Sequence, residues 1–380
     1  MLTKWGFMSR KIRVGVLFGG KSAEHEISLQ SAKSIIDALD RDKYEAVLIG
    51  IDKSGEWHLR DADQYLLNAD DPKEILLDQS RAAVALIPKE DGKHLVSLSK
   101  IGEAQSVDLV FPVLHGPNGE DGTVQGLLKL AGIPFVGSGV LGSAIGMDKD
   151  VMKRLLRDAG VPIAKFLVCT MGQEIDFQEI KEKLGVPFFV KPANLGSSVG
   201  ISKVRSEEEF DEALCHAFEY DHKILIEEFI EGREIECSVL GNEAPIASLP
   251  GEVIPQHEFY SYEAKYLDAN GAHFQIPVSL PSDLTEKIQD LAIKAYKTLC
   301  CEGMARVDFF LKKNGDLFVN ELNTIPGFTK ISMYPKLWEA SGLPFAQLID
   351  CLIELALQRF EKEQRRRDAL PEISRRDRSR

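Results

Sequence analysis

None of the six cysteines (Cys169, Cys215, Cys237, Cys300, Cys301, Cys351) stands in CxxC or other metal-ligand spacing. The sequence therefore offers no zinc site and no disulfide framework, and reduced, mostly buried thiols are the expectation. No apolar run approaches the ~20 residues a membrane-spanning helix needs. The opening residues, MLTKWGFMSRKIR, lack the apolar core of a secretory signal, so a cytoplasmic location is expected. Positive charge is scarce: 46 Lys and Arg stand against 59 Asp and Glu, a net charge of −13. That balance excludes a general nucleic-acid surface and attraction to anionic membranes. No internal repeat is found.

What the chain does have is 380 residues, 44% hydrophobic and 28% charged, which suits a soluble globular protein of two or three domains. Its most informative stretch is ARVDFFLKKNGDLFVNELNTIPGFTKISM, Ala305 to Met333. Two apolar-rich runs flank Asn314-Gly315, a pair favoured in two-residue hairpin turns because both residues tolerate positive φ. Such a turn pairs Lys313 with Asp316. Counting outward then places Asp308 opposite Glu321 and Arg306 opposite Asn323. Side chains alternate faces along a strand, so all four project from one face. Facing carboxylates repel. A hard divalent cation between them removes that penalty, and Asn323 adds a third oxygen. The alternative is a solvated polar face on which Arg306 neutralises Asp308.

IRVGVLF, residues 12–18, reads as a buried parallel strand closed by Gly19-Gly20, with Ser22 capping the helix AEHEISLQSAKSIIDAL. The turn between them is not GxGxxG. Glu24 and Glu26 in it suit an ammonium group, or else complement the helix dipole. Tyr44–Ile51 reads as a second strand, and VDLVFPVL, residues 107–114, as another buried one that runs into HGPNGEDGTVQG. His115 stands where open α/β sheets bind ligands, although a lone histidine is commonly structural. Strand–helix alternation through residue 135 predicts a small doubly wound domain.

A helix follows from near Asp148 to Gly160, then strands over 161–168 and 187–191. The loop KPANLGSSVGISKV lacks the G-x4-GK[ST] pattern, yet a Gly/Ser hairpin with Lys191 at its base can fold backbone N–H groups over phosphates. ILIEEF and EGREIECSVL place Glu227, Glu228 and Glu234 at a strand edge, where they could meet a base and ribose hydroxyls. Residues 251–276 show no periodicity. Their Tyr260, Tyr262, Lys265 and Tyr266 point to a closing lid, against a disordered loop. Residues 284–300 and 344 to about 360 read as helices, and the charge-dense EKEQRRRDALPEISRRDRSR as disordered.

In this order, GGKSAEHEISL, LHGPNGEDGTVQG, KPANLGSSVG, SYEAKY, and ARVDFF with NELNTIPGFT resemble the D-alanine–D-alanine ligase family of the ATP-grasp fold, over about residues 11–357. The resemblance implies a three-domain α/β fold. Residues 1–135 would form an N-terminal α/β substrate domain, and 136–228 a central ATP-grasp subdomain with the phosphate loop. Residues 229–358 would form a C-terminal subdomain with lid and metal hairpin, and 359–380 a disordered tail. It implies an enzyme that joins two D-alanines with ATP for peptidoglycan precursors. The first carboxylate attacks the γ-phosphorus, giving an acyl phosphate and ADP. The second amine then attacks the acyl carbon and phosphate leaves.

Residue by residue, the resemblance makes Asp308, Glu321 and Asn323 ligands of Mg²⁺ or Mn²⁺, with two ions expected. Lys149 and Lys191 match the lysines at the α/β-phosphates, and the loop from Gly196 through Ser198 to Gly200 covers them. Glu227, Glu234 and the backbone of Ile230 match the adenine edge and ribose, and Lys265 reaches the transferred phosphate. Glu24 matches the carboxylate for the first ammonium, linked through Ser197 and Tyr266 to the lid, with His115 beside that subsite. Arg306 and the N–H of Gly327 match the oxyanion donors. Ser332 and the N–H of Met333 match the grip on the second carboxylate. The partners implied are ATP and D-alanine, with no nucleic acid and no membrane, and a homodimer as one assembly. Two other readings remain: a D-alanine–D-lactate or D-alanine–D-serine ligase, against which Tyr266 and Met333 argue, and a catalytically inactive nucleotide-binding regulator.

Overall fold

The computed structural model describes residues 10–255, apart from 61–64, 70, 72–73, 79–82, 89–94 and 99–103, and residues 272–368. Tyr260, Tyr262, Lys265 and Tyr266, and the tail after residue 368, lie outside the described residues.

The first sheet has the order Trp57–Arg60, Tyr44–Ile51, Ile12–Gly19, Leu109–Val113. Its last three strands are parallel and Trp57–Arg60 is an antiparallel edge. Past Arg13, strand Ile12–Gly19 carries only apolar residues and glycine because both of its faces are covered. Val14, Val16 and Phe18 enter one core with Leu29, Ile35 and Ile36 of helix His25–Ala38; Leu17 enters another with Val124 and Leu128 of helix Thr123–Ala131. The expected serine cap is not formed. Glu24 is the N-cap, without a side-chain cap bond, and Ser22 Oγ accepts the N–H of Glu24 at 3.2 Å. Ser22 lies too early in the turn to reach the first helical amides.

The central sheet is antiparallel, in the order Phe166–Thr170, Lys223–Glu228, Phe188–Pro192, Ser202–Val204. Helices Phe177–Leu184 and Glu207–Phe218 share its core, where the rings of Phe177, Phe188 and Phe210 meet with centroids 5.6–6.0 Å apart. The strand read over 161–168 begins only at Phe166. Its first residues serve another sheet instead: Pro162 C=O accepts the N–H of Val319 at 2.8 Å. Helix Lys149–Asp158 starts as expected, with Asp148 accepting the N–H groups of Asp150 and Val151 at 3.1 Å, and Gly160 ends it at φ +65°.

The third sheet is also antiparallel, in the order Ala272–Gln275, Gly251–Pro255, Arg233–Gly241, Gly303–Leu311, Leu317–Asn323, with Ile246–Ala247 paired to Arg233–Gly241. Ile235, Cys237, Val239, Ala305, Val307 and Phe309 pack on helix Ser282–Thr298 and on Met152 and Leu156. The hairpin corrects one expectation and keeps another. Lys312 N–H donates to Asp316 C=O at 2.9 Å and Gly315, at φ +87°, donates to Lys312 C=O at 3.0 Å. The loop thus has three residues, 313–315, and Lys312 rather than Lys313 faces Asp316. That shift alone would turn Glu321 to the other face. A bulge undoes it: Phe309 pairs with Val319 but Asp308 with Glu321, so Asn320 is the extra residue. The departures cancel, and Asp308 faces Glu321 and Arg306 faces Asn323, as the count predicts.

The C-terminal helix runs from Phe345 to Asp368, well past the expected end near residue 360. Residues read as a disordered tail continue it because their charges find partners: Arg365 bonds Glu361 one turn back and Lys362 bonds Glu243. Arg359 donates to Phe135 C=O at 2.8 Å and to Gly137 C=O. Leu348, Ile349, Leu352 and Ile353 of this helix complete the core over Val14, Val16 and Phe18. Two short helices, Val140–Met147 and Met333–Ala340, carry too few residues for a clear period and were not foreseen.

Candidate active site

The polar face of the third sheet, the start of helix His25–Ala38, the loop after strand Leu109–Val113 and the Gly/Ser loop enclose one cavity. Glu24 enters it from the turn before helix His25–Ala38. Ser197 Oγ donates to Glu24 Oε1 across that gap, so the substrate sheet and the phosphate loop are tied directly. A methyl group on Gly116 would stand 3.0 Å from Glu24 Oε2, and one on Gly196 3.5 Å away; bare backbone flanks the carboxylate on two sides. Ser197 and Ser198 both sit at left-handed φ, 52° and 60°, a costly conformation for side-chain-bearing residues that recurs at functional loops. Gly200 closes the loop at φ +71°, where a Cβ would stand 2.7 Å from Pro192 Cγ.

His115 lies at the same cavity wall. Its Nδ1 faces Ile325 C=O at 3.1 Å, which places the proton on Nδ1, and its Nε2 faces Ser31 Oγ at 3.4 Å. Burial pushes the imidazole pKa down against the opposing charge of Glu24, so the ring is a neutral positioning group. Ser31 Oγ also accepts the N–H of Phe328 at 3.2 Å. Glu120 accepts the N–H of Gly116 at 2.7 Å and of Ile325 at 3.2 Å, joining the loop after strand Leu109–Val113 to the segment after the hairpin. Burial first, and then the charge of Glu24, push its carboxyl up to about 8. Neither Ser31 nor Glu120 was singled out from sequence. Glu120 stands in the quoted HGPNGEDG block, but its partner Ile325 is too distant in the chain for any spacing to reveal.

On the sheet, Arg306 forks onto Asp308, Nε to Oδ1 and Nη2 to Oδ2, each at 2.7 Å, and its Nε lies 2.8 Å from Glu236. Asn323 Nδ2 donates to Asp308 Oδ2 at 3.1 Å. Glu321 has Lys149 Nζ 4.0 Å away. The neutralising contact of Arg306 with Asp308 is therefore present, and the repulsion of the facing carboxylates is offset by cations on both sides. The donor set itself, two carboxylates and an amide on one strand-paired face, consists of hard oxygens and fits a divalent ion such as Mg²⁺. A separate acidic group, Asp52 with Glu56 and His58, lies on a surface turn. There Asp52 accepts the N–H groups of Ser54, Gly55 and Glu56 at 2.9 Å and so serves the turn.

Lys149 is buried, donates to Leu195 C=O in the loop, and has its pKa pushed down by that burial. Lys191 Nζ lies 2.5 Å from Glu227 Oε2. The carboxylate of Glu227 is engaged by Lys191 and Lys153 rather than presented to the cavity. Burial alone would raise its pKa, but the two lysines outweigh that and hold it at about 2. Ile230 is buried nearby in the chain, and Glu234 lines the cavity. At the far wall Ser332 Oγ accepts the N–H of Thr329 at 3.0 Å, and a Cβ on Gly327 would collide with it at 2.7 Å. Ser332 and Met333 open helix Met333–Ala340, whose first backbone amides form a ready anion site beside the cavity.

This geometry can be set beside known proteins. Residues 13–138 match the family described as D-ala D-ala ligase N-terminus, and residues 155–354 the one described as D-ala D-ala ligase C-terminus. A D-alanine–D-alanine ligase of Shouchella clausii is 56% identical over 355 residues, 93% of this chain and 96% of that protein. The solved ligase of Coxiella burnetii superposes with a TM-score of 0.84 at 42% identity, covering 95% of this chain and 98% of its own. The VanG D-Ala:D-Ser ligase of Enterococcus faecalis gives 0.80 at 38%, covering 91% and 100%. With both halves matched, and with the quoted blocks other than SYEAKY contributing to one cavity, the chain belongs to the D-alanine–D-alanine ligase family.

Proposed function

We propose that this chain joins two D-alanines at the expense of ATP, in the cytoplasm, for peptidoglycan precursors. The observation that carries this reading is the meeting, in one cavity, of Glu24, Arg306 and Ser332 with the Asp308/Glu321/Asn323 face. Glu24 holds the ammonium of the first D-alanine, with His115 packing beside it. The carboxylate of that molecule attacks the γ-phosphorus of ATP, forming an acyl phosphate as ADP leaves. Lys149 and Lys191 bind the nucleotide phosphates, and the backbone from Gly196 to Gly200 shields them from water. Asp308, Glu321 and Asn323 hold Mg²⁺ or Mn²⁺, which when bound offsets phosphate charge. Ser332 and the amide of Met333 grip the carboxylate of the second D-alanine. Its deprotonated amine attacks the acyl carbon, and phosphate leaves. Arg306 and the Gly327 amide donate to the oxyanion. Lys265 and Tyr266 are assigned to the transferred phosphate and the lid link by resemblance alone.

The test is purified protein with ATP, Mg²⁺ or Mn²⁺ and D-alanine, with L-alanine, D-serine and D-lactate as alternative acceptors, reading ADP release and product mass. ADP release that ignores D-alanine, or a depsipeptide as the main product, would sink the proposal. A homodimer belongs to the same reading. Leu130 and Leu141 are 82% and 61% exposed on helices Thr123–Ala131 and Val140–Met147, and Leu127 and Val140 on the same helices are exposed as well. Sedimentation of the double variant Leu130→Glu, Leu141→Glu as a monomer, with wild type a dimer, is the expected result.

A further inference from the structure

Lys153 lies one turn after Lys149 on helix Lys149–Asp158 and is 1% exposed, so it touches no ligand. A lysine with no access to solvent needs a reason, because a buried ammonium is costly unless it is fully paired. Glu227 is already paired with Lys191, and burial pushes the Lys153 pKa down, so the charge of Lys153 depends on the groups it touches. Its contacts show where that charge is used. Nζ pairs with Glu227 Oε1, whose other oxygen holds Lys191, and it donates to Asn320 C=O at 3.0 Å. Asn320 is the bulged residue that sets Glu321 opposite Asp308. One ammonium therefore touches the support of the phosphate lysine and the backbone that sets the oxygen face.

We infer that Lys153 is a positioning residue that keeps Lys191 and the Asp308/Glu321/Asn323 face at a fixed spacing, so that a nucleoside polyphosphate and its divalent ion are bound as one unit. This rests on the proposed nucleotide site. Removing the ammonium frees Glu227 to swing with Lys191, and frees the bulge carbonyl to relax toward a regular ladder, which would turn Glu321 from the cavity.

The test is calorimetric binding of ADP to the full chain with and without Mg²⁺, for wild type, Lys153→Met and Lys153→Arg. Methionine keeps length and apolar packing and removes charge and donor; arginine keeps the charge but not its position. In wild type Mg²⁺ should tighten ADP binding. In Lys153→Met that gain should shrink by about 10–100-fold, the range for lost outer-shell support of a metal, while KM for D-alanine stays level. Lys153→Arg should lose part of the gain, and it carries the test alone should Lys153→Met fail to fold. A folded Lys153→Met with the full Mg²⁺ gain and only a lower melting temperature makes Lys153 a core ion pair and overturns the inference; so does an unchanged gain in Lys153→Arg. Wild type that binds no ADP under either condition overturns the nucleotide site instead.

Discussion

Two backbone N–H groups donate to Glu120 and should hold it ionised, yet burial and the charge of Glu24 outweigh them and its carboxyl is pushed up to about 8. The folded protein then binds this proton more tightly than the unfolded chain, whose glutamate titrates near 4.5. Stability is fully present below that value, is lost as pH rises from there through about 8, and levels off above. Urea unfolding of wild type and Glu120→Gln across this range should show a steeper loss in wild type; parallel curves would assign the titration elsewhere. Arg306 is the second test at this scale. Arg306→Ala should lower kcat by about 10²–10³ while ADP binding changes little, because the oxyanion exists only after attack. A variant with weakened ADP binding and intact kcat would make Arg306 a nucleotide ligand. Arg306 and Glu24 were legible in the sequence because each is a charge in an otherwise apolar or glycine-rich setting. Glu120, Ser31 and Lys153 were not, since they act on amides and carbonyls of residues far away in the chain.

Among the elements, the hairpin shows how a correct register can come from an incorrect turn. Asn314-Gly315 did mark the reversal, and the outward count did reach the right pairs, but only because a three-residue loop and a bulge at Asn320 offset each other. Neither was visible locally, as the bulge is held by Lys153 and by Pro162 beside it. The bulge, and not the length of the loop, should then set the face. Deleting Asn314 leaves a two-residue turn with Lys312 still opposite Asp316, so Asp308 should stay opposite Glu321 and Mg²⁺-dependent ADP binding should be kept. Loss of that binding in a folded deletion variant would mean that the register is set from the turn. The parallel strands and the helices near residues 25, 149, 284 and 345 were readable from apolar runs, whereas Phe177–Leu184 and Glu207–Phe218 were not singled out. The end of the C-terminal helix was not, because its last turns are held by ion pairs rather than by an apolar stripe.

Over the whole molecule, the bond from Ser197 to Glu24 spans the first sheet and the phosphate loop. Ser197→Ala should raise KM for the first D-alanine and let ATP turn over without peptide formation more often, at little cost in stability for a half-buried hydroxyl. The readout is the ratio of ADP to dipeptide; an unchanged ratio would confine Ser197 to loop geometry. That three sheets enclose one site follows from the order of the motifs only by resemblance, since no local pattern states how separate layers dock. The C-terminal helix has its own bearing on synthesis. Val14, Val16 and Phe18 leave the ribosome long before Leu348, Ile349, Leu352 and Ile353, which share their core. At about 5–20 residues per second, that apolar face waits for tens of seconds before its cover exists. The layer over the first sheet is thus closed by a segment made long after the sheet itself, so slowing translation between the two should lengthen the time this core stays half-covered.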